Sequence, residues 1–418
     1  MLFLVFLFAI FLLAVSDSTG AEGPSILSKR KGIYCVTDFG AKGDGKTDDT
    51  AAFQKALDAA AKDGGGIAFA PTGKYLIKGH ISIPPSVTLE GVFRAPTSQS
   101  QGMGTTLLAV EGKGNQDSEP FILLNKNSTV KGLIVFYPEQ DKKKPVPYPW
   151  CIRGKGDNCS ILDVQLINPW QAVDFGTNPC GRHFIRGLYA QPILTGIFVD
   201  ICYDVGRIED VHLWPFWDVP LMKDYTTKNG TAFIFGRTDW EFMTNCFCIF
   251  FKVGFHFKGI KAGPGNILAT NSGSDIGPTA VLADGVSPIA GVAFSNCQFM
   301  AGIEVKETNE GPIKFSNCGF WGVDQVTTTH ANVKGNGHIS FNGCHFMLWD
   351  QKKEGYPAIQ ADSGGLTVSN CDFMDDDDNQ ITLGGNVHAI IMGSRMRGGM
   401  KVKNKSKGRV EMGLNVDV

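Results

Sequence analysis

The chain has 418 residues, with 39 Lys and Arg against 41 Asp and Glu, a net charge of −2. That balance gives no broad basic field for nucleic acid, and a hydrophobic content of 43% excludes disorder as the main state. Glycine is abundant, 51 residues or about 12% against a usual ~7%, without the three-residue period of collagen.

Leu2 to Val15 is almost unbroken apolar sequence, followed by the small residues of Ser16–Ala21. It is shorter than the ~20 residues of a membrane span. It therefore reads as an export signal over residues 1–21, and predicts a secreted protein, extracellular or periplasmic, with no membrane attachment once the signal is removed. An N-terminal segment and helix are expected over 22–65, the main fold over 66–400, and a tail or cap over 401–418. Thr50–Lys62 is the one convincing helix. Asp48, Asp49 and Thr50 offer capping oxygens, and Ala52, Phe53, Ala56, Leu57 and Ala60 form a helical apolar stripe. Gly64-Gly65-Gly66 ends it. Short strand-like runs separated by turns then continue almost to the C-terminus.

The C-terminal half carries a loose repeat. Val292-Ala293-Phe294-Ser295-Asn296-Cys297-Gln298-Phe299 returns as Ile313–Phe320, Ile339–Phe346 and Leu366–Phe373, with cysteine spacings of 21, 26 and 27. Such a period signals a solenoid. Stacked coils place Cys on Cys, Phe on Phe and Asn on Asn at about 4.8 Å, with Asn in a left-handed bend. The fold expected is all-β: one right-handed parallel β-helix with the Thr50–Lys62 helix capping its N-terminal end. The cysteines of the repeat should then be buried, small and reduced. No Cys-x-x-Cys or His-x-x-x-His occurs, so no metal site and no cofactor are expected.

Val36-Thr37-Asp38-Phe39-Gly40-Ala41-Lys42-Gly43-Asp44-Gly45-Lys46-Thr47-Asp48-Asp49-Thr50 resembles the opening of the pectate-lyase-like superfamily, which includes rhamnogalacturonases, polygalacturonases, epimerases and phage tailspikes. The likeness continues through Ala52–Leu57, Gly64–Gly66 and Pro71–Tyr75. It implies the β-helix and a polysaccharide or oligosaccharide substrate, in a monomer or trimer. The catalytic phrases of polygalacturonases do not occur here in their chain order, and neither does the Arg-x-Pro-x-x-Arg phrase of many calcium-dependent lyases. The resemblance therefore implies a scaffold and a substrate class, with calcium entering only for a lyase.

Residues 170–260 differ from their neighbours, holding four of the seven tryptophans with many acids. Laying Ile197–Asp204 over Ala232–Asp239 turns Ile197, Val199 and Ile201 inward with Ala232, Ile234 and Gly236. It puts Cys202 on Arg237 and Asp204 on Asp239 on the outer face, with Asp200 two residues back. A close carboxylate pair is what acid–base cleavage of a glycosidic bond requires. The expected catalytic residues are Asp204 and Asp239 with Asp200. Arg237, Trp214, Trp217, Trp240, His212 and Tyr203 are expected to bind substrate. The leading expectation is a secreted enzyme hydrolysing uronate-containing glycans; a lyase or epimerase, or a non-catalytic glycan-binding β-helix, stays open beside it. Asp375–Asp378 and the lysines at 142–144 are expected to be solvated.

Overall fold

Residues with alternating inward apolar side chains, interrupted every few positions by a left-handed bend, cannot form a long flat strand. They wind. The structure, a computed structural model, describes residues 31–97, 100–260, 262–323 and 328–418; the apolar Leu2–Val15 run lies outside them. Most coils have three short strands, two of them merged into one in the middle coils, and apart from Phe93–Arg94, which pairs antiparallel, each strand pairs in parallel with its equivalent in the next coil. The first sheet runs from Ile33–Cys35 to Val410–Gly413, the second from Asp44–Asp48 to Val416–Asp417. The third has 13 strands, from Ile81–Ile83 to Val402–Asn404. The solenoid thus extends beyond the expected 66–400 at both ends. Its terminal strands lack the repeated phrase, which is why the sequence did not mark them.

The repeat register is as expected. Val292, Ile313, Ile339 and Leu366 are successive partners, as are Phe294, Phe315 and Phe341. Phe299, Phe320, Phe346 and Phe373 form the neighbouring column. These rings stack inside the coil, with Phe294 and Phe315 5.3 Å apart and 3° from parallel. Asn296, Asn317 and Asn370 sit at φ of 55°, 53° and 54°, where asparagine is tolerated better than residues that cannot bond locally. All eleven cysteines are buried thiols. In the repeat each thiol donates to a carbonyl of the preceding coil, as Cys318 Sγ does to Phe294 O at 3.5 Å.

Helix α1 spans Thr50–Lys62, as its pattern predicts, and buries the expected stripe. It packs on Ile33–Cys35, Gly66–Ala70, Ile81–Ile83 and Val87–Gly91. The Gln54 amide pairs with both backbone groups of Ser82 at 3.0 Å, in the terminal strand of the third sheet, so that strand's free edge is partly satisfied. Asp48 caps the helix through Thr50 N. Asp49 makes no cap bond; it accepts the amides of Lys42 and Gly43 and pins that loop.

The two surface segments, Asp375–Asp378 and the lysines at 142–144, are largely solvated, as expected, with added pairings. Asp376 and Asp378 are exposed, and Asp376 pairs with Lys401 at 2.6 Å; Asp377 alone is buried, 6% exposed, and pairs with Lys353. Lys142 lies over the Trp217 ring and pairs with Asp218. Among the described residues, no helix is long and apolar enough to cross a membrane.

Candidate functional site

In the middle coils the strands Ser160–Ile167, Phe184–Gln191 and Gly206–Leu213 are eight residues long and run through the bend. The bends themselves are Asp163, Gly187 and Asp210, all at positive φ. The third sheet here is built from Gln171–Phe175, Thr195–Val199 and Thr231–Phe235.

Its register corrects the expected one by a single residue. Ile197 pairs with Phe233, Phe198 with Ile234 and Val199 with Phe235, and Cys202 bridges Thr238 rather than Arg237. Burial explains the choice. Phe233 and Phe235 point inward and stack on Phe255 and Phe257, at 5.0 and 5.6 Å. The expected register would have turned those rings to water and put Ile234 and Gly236 inside, which buries less apolar surface.

The consequences differ residue by residue. Asp200 is not on an outer face; it is 3% exposed and accepts the Arg237 amide at 2.6 Å, shaping the turn. Cys202 is buried. Asp204 and Asp239 stay at the surface, each held by its own arginine. Arg182 bonds Asp204 at 2.8 Å and Asp157 at 3.2 Å, and Arg237 bonds Asp239 at 2.5 Å. The Val205 amide, then Arg182, hold the Asp204 carboxyl below the usual aspartate range, so it is ionised. Tyr203 and Trp240 stand beside them, 58% and 51% exposed, and Trp240 continues to Phe242 with ring centres 6.1 Å apart. Arg207 is exposed one residue after Gly206, whose amide bonds Trp240 O.

The other expected residues gather elsewhere. His212 lies on the outer face of the second sheet, between Tyr189 and Phe247 in its row. It lines a cavity of about 400 Å³ with Trp214, Asp210 and Asn245, and burial lowers its pKa. Trp214 and Trp217 are half-buried against the core. His212 is six residues from Gly206 along one strand, at most about 20 Å. The structure therefore gathers Asp204, Asp239, Arg237, Tyr203 and Trp240 at one corner and leaves His212, Trp214 and Trp217 on the next face.

Sequence reasoning missed Arg182 and Asp157, which complete that corner, and a second polar site. His256 Nε2 lies 2.7 Å from Asp284. Burial lowers the histidine's pKa despite the opposing pull of Asp284. Asp284 lines a cavity of about 1030 Å³ with Lys306, Glu307, Glu310 and Lys334. The signal was available: His256 alternates with inward Phe255 and Phe257, so it had to face out.

A family model described as rhamnogalacturonase A/epimerase, pectate lyase-like, matches residues 33–136. Alginate lyase 7 of Azotobacter vinelandii is 63% identical over 46 residues, which is 11% of this chain and 5% of that protein. Mannuronan C5-epimerase AlgE5 of the same organism is 38% identical over 91 residues, 20% of this chain and 8% of the relative. The chain therefore spans less than a tenth of either relative's length. The premature form of gene product 12 of bacteriophage phi29 superposes with a TM-score of 0.62 at 13% identity, over 91% of this chain and 55% of that one. Its likeness concerns the fold alone. The N-terminal phrase thus carries a likeness to pectate-lyase-like proteins over residues 33–136, and the three-sheet parallel coil gives the described residues the right-handed parallel β-helix fold.

Proposed function

We propose that the protein is a secreted enzyme acting on a uronate-containing polysaccharide at the Asp204–Asp239 corner of the middle coils. The observation that supports this is the juxtaposition there of arginines, half-exposed carboxylates and exposed rings. Tyr203 and Trp240 offer flat apolar faces to sugar rings. Arg237 offers a bidentate fork to a uronate carboxylate, which competes with Asp239 for it. Asp239, freed from its cation and covered by the sugar, is then placed to serve as the acid. Asp204, kept ionised by the Val205 amide and then by Arg182, is the base. Glycosidic cleavage by this pair is hydrolysis; the same base beside an arginine-bound uronate also suits β-elimination. The similarity to an alginate lyase and to mannuronan epimerases supports an anionic glycan over a neutral one.

The test is release of new reducing ends from polygalacturonate, rhamnogalacturonan and alginate, with ultraviolet absorbance of an unsaturated uronate distinguishing elimination from hydrolysis. No change in any of these glycans sinks the reading. One observation favours a second location: the His256–Asp284 pair is an oriented, neutral base beside a large cavity containing Lys306 and Lys334. Loss of activity in His256→Ala with full activity in Asp204→Asn would move the chemistry there.

A further inference from the structure

Beneath the corner, three ligand-type side chains converge from three successive coils. His183 precedes the strand Phe184–Gln191, Cys202 follows Thr195–Val199, and Glu241 opens Glu241–Thr244. All three are fully buried. His183 Nε2 is 2.9 Å from Glu241 Oε1, and one ligand atom from each residue lies within 4.8 Å of the other two. We propose that His183, Cys202 and Glu241 form an interior binding site for a divalent metal of the zinc class.

Three features separate this cluster from an ordinary buried ion pair. His183 Nδ1 is 2.8 Å from the Cys180 carbonyl. A carbonyl only accepts, so Nδ1 is protonated and Nε2 faces the cluster, where it shares with Glu241 Oε1 a second proton that a metal would displace. The Nδ1 bond is how metal-binding histidines are commonly oriented. Glu241 Oε2 is buried with no hydrogen-bond partner, an open coordination position in a place where an unmatched oxygen is costly. The residue facing it is Gly206, where a Cβ would lie 2.2 Å from Glu241 Oε2 and 2.5 Å from His183 Cε1. The backbone keeps that space clear.

The donor set also suits the ion. Thiolate, imidazole and carboxylate together select zinc over calcium or magnesium. Tetrahedral zinc with bonds of about 2.0–2.3 Å places its ligands about 3.3–3.8 Å from one another, within the span seen here. The Cys202 thiol donates to the Asp204 carbonyl at 2.8 Å. Binding breaks that bond and the His183–Glu241 hydrogen bond, releases to solvent both the thiol proton and the proton shared by Nε2 and Oε1, and forms the bonds from sulfur, nitrogen and oxygen to the metal. Two positive charges then meet one thiolate and one carboxylate, leaving the interior neutral, with a fourth position for water. No motif search finds this set, because 19 and 39 residues separate its members; only the coil brings them together. A buried site fills as the chain folds.

The experiment uses full-length protein produced with zinc or with cobalt in the medium and purified without chelator. Wild type should retain about one equivalent of metal through desalting, and the cobalt form should show a thiolate-to-metal charge-transfer band. Cys202→Ser keeps the other ten cysteines and should lose both. Should that variant fail to fold, the wild-type cobalt band still decides. Wild type holding less than about 0.1 equivalent, without the band, overturns the proposal and leaves an imidazole–carboxylate pair. A band that persists in folded Cys202→Ser overturns it equally.

Discussion

The coils from Val292 to Met396 and those from Ser160 to Phe257 follow the same three-sheet path with different contents. In the later coils many inner positions repeat, Phe on Phe and thiol on thiol, with Asn or Gly at the bends, until Val368, Ser394 and Met396 take over in the last of them. In the middle coils the bends remain and the inner rows remain apolar. The outward positions there hold arginines, carboxylates and exposed rings, and a His–Glu pair lies inside. The path is set by inward rows and bends alone. The other positions are free to carry chemistry without changing the winding.

The largest effect expected from breaking a later coil is at Phe320. Its ring is stacked at 5.4 Å on Phe299 and 5.0 Å on Phe346, with Phe315 and Phe341 edge-on. Phe320→Ala should cost about 3–5 kcal/mol. Because solenoid coils depend mainly on neighbours, hydrogen exchange should quicken over 313–347 before it does over 160–213. Uniform quickening would mean that the two regions are one cooperative unit.

In the middle coils the corresponding break is chemical. Asp204→Asn should lower turnover by about 10²–10⁴-fold on a proven substrate with an unchanged circular dichroism spectrum. The pH dependence has a definite sign. With Asp204 as the proposed base, acting ionised, and its pKa depressed by the Val205 amide and Arg182, activity should survive as pH falls until that lowered value is passed. Its folded-state contribution is likewise present above the unfolded pKa and lost on acidification through the folded one. Arg182→Ala should move the acid limb to higher pH. An unmoved limb would mean that another group sets it.

A middle-coil break of intermediate size is Gly206→Ala. The added methyl meets the Glu241 carboxylate and the His183 ring in a fully buried space, and should cost about 1–3 kcal/mol. Gly413→Ala, whose Cβ would meet nothing within 4 Å, is the control and should be near neutral. Urea midpoints of the two variants measure the difference.

How much of this was legible follows from the same contrast. The later coils announced themselves because equivalent residues have one identity, so spacing alone gave their register. The middle coils offer no such identity, and alternation cannot tell one register from its neighbour when Ala232, Phe233, Ile234 and Phe235 are all apolar. Ring size settled it, through the partners Phe255 and Phe257, which no local pattern could reveal. Asp204, Asp239 and Arg237 were found as residue types in an unusual stretch. Arg182, Asp157 and His183 were not, since their partners lie 20 or more residues away in the chain.

The smallest predicted effect tests whether the bends of the two regions are equivalent. Asn317 and Asp210 both sit at φ of 53°, where a β-carbon crowds the following carbonyl and local polar bonding is the compensation. Asn317→Ala and Asp210→Ala should each cost about 1 kcal/mol, and replacement of either by Gly should recover most of it. Asp210 also accepts a bond from Asn245 Nδ2 at 2.9 Å in the next coil, but at an exposed position that adds little. Equal losses would show that the bend is a backbone requirement common to the whole solenoid. A clearly larger loss at Asp210, not recovered by Gly, would show that the middle coils depend on side-chain bonds along the bend column, where the later coils rely on stacked rings.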